Sequence, residues 1–200
     1  MQSLTEIRIA GFGGQGVILA AAIIGKAQAL YQGGYATMTQ SFGPEARGGS
    51  SSAQVILAKE PILYPYVTEP DVLVVMSQEA YTRFAPELKP GGTLIIEQDL
   101  VRLGGGHAAR RVFGVPATRL AEELGRKVEL NVVMVGFFAA VTQLVSAEAL
   151  RKAVADSVPP AMQKLNLEAF DKGFEYGVQL ADGGRPNGQS EPLISTLELS

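Results

Sequence analysis

Three glycines near the amino terminus have the spacing of a phosphate-binding loop. Gly11, Gly13 and Gly16 fit the pattern G-x-G-x-x-G, and they lie between a predicted strand and a predicted apolar helix. Glycine lets a ligand approach the backbone closely, and the free N–H groups at a helix start favour an anion. The pattern predicts a phosphate or diphosphate contact that also involves Gly14 and Gln15. The alternative is a tight turn that only packs the helix onto the strand.

An NAD site would require one more residue, an acid about 20 positions further on that holds the ribose. Here the second predicted strand, 35–39, is followed by Gln40, Ser41 and Phe42, and the first acid is Glu45. The missing acid disfavours NAD specifically. A stand-alone dinucleotide-binding oxidoreductase nevertheless stays open as an alternative that rests on the glycine pattern alone.

A second loop, residues 41–49, combines conformational restraint with charge. Pro44 restrains the turn, and long restrained loops usually carry function. Arg47 could hold a phosphate or carboxylate with two parallel hydrogen bonds, or it could pair with Glu45 and fix the shape of the loop. Both readings stay open. The candidate ligand contacts of this loop are Ser41, Gly43, Glu45, Arg47, Gly48 and Gly49.

Other polar residues offer little chemistry. The chain has no cysteine and one histidine, His107, which excludes disulfides, cysteine-ligated metals, thiol nucleophiles and multi-histidine metal sites. No catalytic or metal-binding residue is predicted. Asn131 opens a long apolar segment, where its expected role is a helix cap and its second reading is a ligand contact.

The elements that must position these loops alternate between strand and helix. After the first strand and helix come two strands joined by the second loop, and then two continuous apolar runs that are typical of strands covered on both faces. The predicted later elements are strands over 71–76 and 93–97 and helices over 78–88, 118–124, 131–145 and 146–157, with a last helix that Asn166 caps after Pro159 and Pro160. This order predicts a three-layer α/β domain with a largely parallel sheet, followed by helical cover.

Composition bounds the class of protein. The chain has 200 residues, 46% hydrophobic and 18% charged, with a net charge of −3. One domain is expected over residues 1–180, with 181–200 as a mobile or partner-docked tail. The charge excludes nucleic acid and a polybasic membrane contact, and the apolar run 132–145 is too short to cross a bilayer. The amino terminus does not resemble a signal peptide, so a cytoplasmic protein is expected.

Five segments together resemble one known family, the gamma subunit or gamma domain of the 2-oxoacid:ferredoxin oxidoreductases. The resemblance covers about residues 5–180, and the pairing of the two glycine-containing loops is its most specific part. The segments are GFGGQGV (11–17), QSFGPEARGG (40–49), PDVLVVMSQEAY (70–81), LKPGGTLI (88–95) and NVVMVG (131–136). Phe42 stands where the family often has tyrosine.

The resemblance implies a fold, an activity and partners. The fold would be that of domain III of pyruvate:ferredoxin oxidoreductase, an α/β/α sandwich. The family decarboxylates a 2-oxoacid oxidatively with coenzyme A, giving an acyl-CoA, CO2 and reduced ferredoxin, in oxygen-sensitive anaerobic enzymes. Thiamine diphosphate, Mg²⁺ and iron–sulfur clusters would sit in partner subunits, alpha and beta with delta as a third candidate. Ferredoxin would be reached through the complex.

By the same resemblance, this chain is expected to be inactive alone and to complete the coenzyme A site. Its glycine loop would meet the diphosphate, with residues 41–49 at the border of the active site and 2-oxoglutarate as the favoured oxoacid. A purely structural subunit, in which both loops only pack against partners, is the remaining alternative.

Overall fold

A computed structural model describes residues 4–42, 50–104, 107–125, 130–182 and 195–196. The strands are β1 Thr5–Phe12, β2 Tyr35–Phe42, β3 Ser50–Ala58, β4 Val72–Val75, β5 Thr93–Glu97, β6 Arg111–Val115 and β7 Ser195–Thr196. The helices are α1 Val17–Lys26, α2 Gln78–Phe84, α3 Ala117–Glu123, α4 Leu130–Thr142, α5 Ala147–Ser157 and α6 Pro160–Ala181. A π-helical turn, Ala27–Tyr31, extends α1, and a 3-10 turn, Ala85–Glu87, extends α2.

The seven strands of the described residues form one sheet in the order β2-β3-β1-β4-β5-β6-β7. Only β3 and β7 oppose the direction of the other five, so the prediction of a largely parallel sheet is confirmed. The departure is β3, which pairs antiparallel with both β1 and β2 and separates them. Strands β1, β4, β5 and β6 all end at the same edge, which we call the carboxyl edge.

Helices cover the two faces of the sheet unequally. Alternation along β1 directs Ile7 and Ile9 to one face, where they pack with α1 and α3 to α6. Ala10 points to the other face, where α2 and the segment after β5 complete a smaller core. The molecule therefore has the predicted three layers, with most of the helical cover on one side.

Helices α4 and α6 pack so closely that their backbones touch, at what we call the α4–α6 seam. An added methyl group at Gly136 would overlap the carbonyl oxygen of Phe170, and one at Gly173 would overlap that of Val133. Gly177 likewise leaves no room for a methyl group, because the Cβ of Ala140 would lie 2.6 Å from it. Helix α4 is buried from Leu130 to Val141, which explains why its sequence is apolar on every side.

Helix capping was predicted correctly at one of three positions. Ser146 caps α5, where its hydroxyl oxygen accepts from the N–H of Ala149 at 3.2 Å. The prediction for Asn166 is wrong: α6 begins at Pro160, a residue well suited to the first helical position, and Asn166 lies inside the helix. Its Nδ2 donates to the carbonyl of Met162 at 2.9 Å. Asn131 also lies inside a helix rather than before it.

Strand β6 was not predicted at all. Its apolar residues follow a glycine-rich stretch and two arginines, Arg110 and Arg111, and this context conceals the strand in the sequence. On its outer side β6 pairs with β7, where Ser195 meets Val112 and Thr196 meets Arg111. These two residues are the part of the expected tail beyond residue 182 that the structure describes, and the division of the chain at residue 180 stays a prediction.

Candidate functional site

The first feature of the site is a change of direction in the fold between β1 and β4. These strands are parallel neighbours, yet β1 leads into α1 on one face of the sheet and β4 leads into α2 on the other. A crevice opens at the carboxyl edge where neighbouring connections diverge in this way, and α/β proteins bind ligands there. The glycine pattern therefore lies at the position that the topology favours.

The glycine loop presents its backbone to this crevice. Gly13 and Gly14 are exposed, and the backbone φ angles of 98° at Gly14 and 73° at Gly16 are ones that glycine adopts without strain. Helix α1 starts at Val17 with no side-chain cap and no acidic residue in its first turn. The first N–H groups of α1 have no acceptor within the helix, so this helix start favours a negative charge.

The side chain of Gln15 fixes the conformation of the glycine loop through two hydrogen bonds. Its Nε2 donates to the carbonyl of Met76, at the end of β4, over 2.8 Å, and its Oε1 accepts from the N–H of Phe12 over 2.7 Å. An added methyl group at Gly11 would come within 2.5 Å of that Oε1, which explains the first glycine of the pattern. The side chain of Gln15 thus joins the two strand ends that flank the crevice.

Asn131 comes from the second residue of α4 and packs directly beneath the loop. An added methyl group at Gly16 would lie 2.5 Å from the Asn131 Cγ. The side chain is 2% exposed, and its Nδ2 has no hydrogen-bond partner among the described residues. A buried amide without an acceptor costs about 1–3 kcal/mol, so this donor is an unusual feature beside an anion-favouring loop.

The second loop joins strands at the same edge. Phe42 at the end of β2 is paired with Ser51, and Ser50 at the start of β3 is paired with Phe12, which lies between the first two glycines of the pattern. Ser41 is exposed on β2. Five of the predicted contacts lie outside the described residues, namely Gly43, Glu45, Arg47, Gly48 and Gly49.

The strand order bears on the dinucleotide alternative. In dinucleotide-binding folds the second strand lies parallel beside the first, and the ribose acid follows it. Here the neighbour of β1 on that side is the antiparallel β3, and the residue of β3 beside the loop is Ser50. The fold therefore lacks the geometry of the NAD fingerprint as well as its acid.

Glu97 is a buried acid that the sequence analysis did not single out. It ends β5 at the carboxyl edge with 0% exposure, and neither carboxyl oxygen has a hydrogen-bond partner among the described residues. Burial, together with the neighbouring charge of Asp99, raises the pKa of the Glu97 carboxyl to about 7, against the opposing effect of nearby backbone N–H groups. An acid at the end of an otherwise apolar strand was the available signal.

The opposite edge of the sheet carries a recess of about 320 Å³, and two of the charged residues that line it, Asp71 and Lys89, pair with each other. Lys89 lies 3.0 Å from the Asp71 carboxylate and 3.3 Å from that of Glu6. No cluster of three metal-ligating side chains occurs within the described part of the chain, and none of its helices is long and apolar enough to span a membrane.

Comparison with known proteins identifies the family. Residues 6–176 match the family model of the pyruvate ferredoxin/flavodoxin oxidoreductases. The 2-oxoglutarate synthase subunit KorC of Methanothermobacter thermautotrophicus is 49% identical over 176 residues, which are 85% of this chain and 93% of the relative. The chain belongs to this family. As a gamma subunit of a 2-oxoacid:ferredoxin oxidoreductase, it is part of an oxidoreductase, as the resemblance implied.

Solved structures agree with this assignment. A keto/oxoacid ferredoxin oxidoreductase gamma subunit from Geobacter sulfurreducens superimposes with a TM-score of 0.80 at 38% identity, covering 88% of this chain and 97% of the other. The fold also matches a third of the 2-oxoglutarate:ferredoxin oxidoreductase of Magnetococcus marinus, solved with 2-oxoglutarate, coenzyme A and succinyl-CoA bound. That match has a TM-score of 0.77 over 94% of this chain, at 24% identity. The gamma subunit and its α/β/α fold are thus confirmed.

Proposed function

We propose that this gamma subunit completes the coenzyme A site of a 2-oxoacid:ferredoxin oxidoreductase whose substrate is 2-oxoglutarate. Two relatives support the choice of oxoacid. They are 44% and 49% identical to this chain, and both are named as subunits of 2-oxoglutarate synthase. The observation that carries the coenzyme A site is the glycine loop at the β1–β4 crevice, with the unsatisfied Asn131 amide beneath it.

The loop fits an anionic group such as the coenzyme A diphosphate. Backbone N–H groups of Gly13, Gly14 and Gly16 and of the first turn of α1 would donate to it, and Gln15 would hold the loop in place. Asn131 offers a further donor below the loop. When bound, coenzyme A supplies the thiol that accepts the acyl group. The contribution of this chain is to bind the coenzyme and to exclude water from its diphosphate.

The remaining chemistry belongs to partners. Without cysteine, this chain offers no thiolate ligand for an iron–sulfur cluster. Thiamine diphosphate, Mg²⁺ and the clusters would therefore lie in alpha and beta subunits, with delta as a third candidate, and ferredoxin would dock on the complex. The gamma subunit would also hold this assembly together, in the cytoplasm. The second loop, including Ser41, Gly43, Glu45, Arg47, Gly48 and Gly49, would border the active site.

The experiment that tests the coenzyme A site compares two substitutions at Gly14. Gly14→Asp and Gly14→Asn share nearly the same shape and the same backbone strain, because φ is 98° there and a side chain would extend into open space. Only the aspartate adds a negative charge beside the diphosphate. In the assembled enzyme we expect the KM for coenzyme A to be roughly tenfold higher for aspartate than for asparagine.

Two controls make the result decisive. The KM for the 2-oxoacid should be the same in both variants, and both should co-purify with the partner subunits. Equal KM values for coenzyme A in two fully assembled variants would remove the loop from the site and leave the purely structural role.

A further inference from the structure

The wall of the crevice opposite α1 carries an arginine that contacts no carboxylate of the described residues. Helix α2 begins directly after β4, at the strand end that Gln15 ties to the glycine loop. Arg83 lies in the last turn of α2 and is exposed. Its Nη1 donates to the Ser50 hydroxyl over 3.3 Å, and Ser50 is paired with Phe12, the residue between the first two glycines of the pattern. The guanidinium of Arg83 therefore stands at the carboxyl edge.

The other arginines with side-chain partners differ from Arg83 in one respect. Arg8, Arg119 and Arg151 each contact a carboxylate, namely that of Glu87, Asp99 and Asp171. Arg83 contacts a serine and the ring of Phe84, whose centroid is 4.9 Å from the guanidinium carbon, and no carboxylate of the described residues.

A second cation lies on the same ring. The Arg8 guanidinium packs against the Phe84 ring at 4.8 Å, and the charge of Arg83, together with the larger effect of burial, lowers the pKa of Arg8. Arg83 is thus held by packing beside a like charge, and its one side-chain hydrogen bond to the described residues is the bond to Ser50. A planar guanidinium held in this way is suited to bind phosphate.

We infer that Arg83 binds a phosphate group of coenzyme A across the crevice from the glycine loop. This inference rests on the proposed function. Coenzyme A carries a diphosphate and a separate 3′-phosphate, and both offer the oxygen pairs that a guanidinium recognises. Arg83 would place a full positive charge on the α2 side, whereas the glycine loop offers only backbone donors.

The test measures coenzyme binding rather than turnover. Isothermal titration calorimetry on the assembled enzyme gives the Kd for coenzyme A and for dephospho-coenzyme A, which lacks the 3′-phosphate, in wild type, Arg83→Gln and Arg83→Lys. We expect Arg83→Gln to raise the Kd for coenzyme A about tenfold, and Arg83→Lys to raise it less. Arg110→Gln, an exposed arginine before β6 at the opposite edge, is the matched control and should leave the Kd unchanged.

Each outcome decides the inference. An effect of Arg83→Gln on coenzyme A but not on dephospho-coenzyme A assigns Arg83 to the 3′-phosphate, and equal effects assign it to the diphosphate. An unchanged Kd for both coenzymes in Arg83→Gln overturns it. If the glutamine variant does not assemble, Arg83→Met, which keeps an apolar side chain on the Phe84 ring but removes the charge, takes its place, and an unchanged Kd in that variant overturns the inference. A Gly14→Asp effect without an Arg83 effect would leave the proposed function standing.

Discussion

The α4–α6 seam and the carboxyl edge of the sheet use the same residue types for opposite purposes. At the seam, Gly136 and Gly173 bring two backbones into contact. At the edge, Gly14 leaves open space around the backbone. Five buried side-chain atoms lack a partner among the described residues, and four of them lie at this edge, in Glu97, Thr118 and Asn131.

The contacts at the seam favour folding, whereas the unsatisfied polar groups at the edge oppose it. Close packing at the seam gains dispersion energy and needs nothing beyond the chain. Each unsatisfied polar group at the edge costs about 1–3 kcal/mol, which folding alone does not favour. The edge is therefore the region where a ligand or a partner subunit would improve the energy of the chain, in agreement with the proposed site.

The largest expected effect comes from filling the seam. Gly173→Ala would drive a methyl group into the carbonyl of Val133 and should lower the free energy of unfolding by about 3 kcal/mol or more, despite the better helix propensity of alanine. Urea denaturation followed by circular dichroism measures it. Gly104→Ala, where nothing lies within 4 Å, is the control and should change stability little. Equal stability of the two variants would contradict the backbone contact.

At the carboxyl edge, the buried acid Glu97 should make the stability of the protein depend on pH. Its folded-state pKa of about 7 exceeds the usual 4.5, so the protonated carboxyl favours the folded state. That stability is fully present below about pH 4.5 and is lost as pH rises through 7, by about 3 kcal/mol. Glu97→Gln should abolish this loss and be more stable than wild type at pH 8.

Unfolding free energies at pH 5 and pH 8 measure this effect, with the exposed Glu69→Gln as the control that should keep the wild-type slope. A wild-type pH dependence in Glu97→Gln would show that another group causes the loss.

The same contrast explains how far the sequence could predict the structure. The glycine loop and the parallel strands were predictable, because glycine spacing and apolar runs are local features. The insertion of β3 beside β1 was not, since strand pairing depends on residues far apart in the chain. Asn131 shows the limit most clearly. Its position in the sequence predicts a helix cap, but in the fold its side chain packs under Gly16, a residue more than 100 positions away in the chain. No local pattern contains that contact.

The smallest expected effect isolates ligand binding from stability at Asn131. Asn131→Ala removes some packing but also an unsatisfied donor, so the free energy of unfolding should change by no more than about 1 kcal/mol. If the amide donates to bound coenzyme A, the Kd from calorimetry on the assembled enzyme should rise about threefold to tenfold.

Asn166→Ala is the matched control for this substitution. It also truncates a buried asparagine, but one whose Nδ2 already donates to Met162, so stability should fall by about 1 kcal/mol while the Kd stays unchanged. The two variants should thus show opposite patterns, because the Asn166 Nδ2 donates within the fold, whereas the Asn131 Nδ2 has no acceptor among the described residues. A loss of stability in Asn131→Ala with an unchanged Kd would show that Asn131, like the glycines of the α4–α6 seam, stabilises the fold and does not bind the coenzyme.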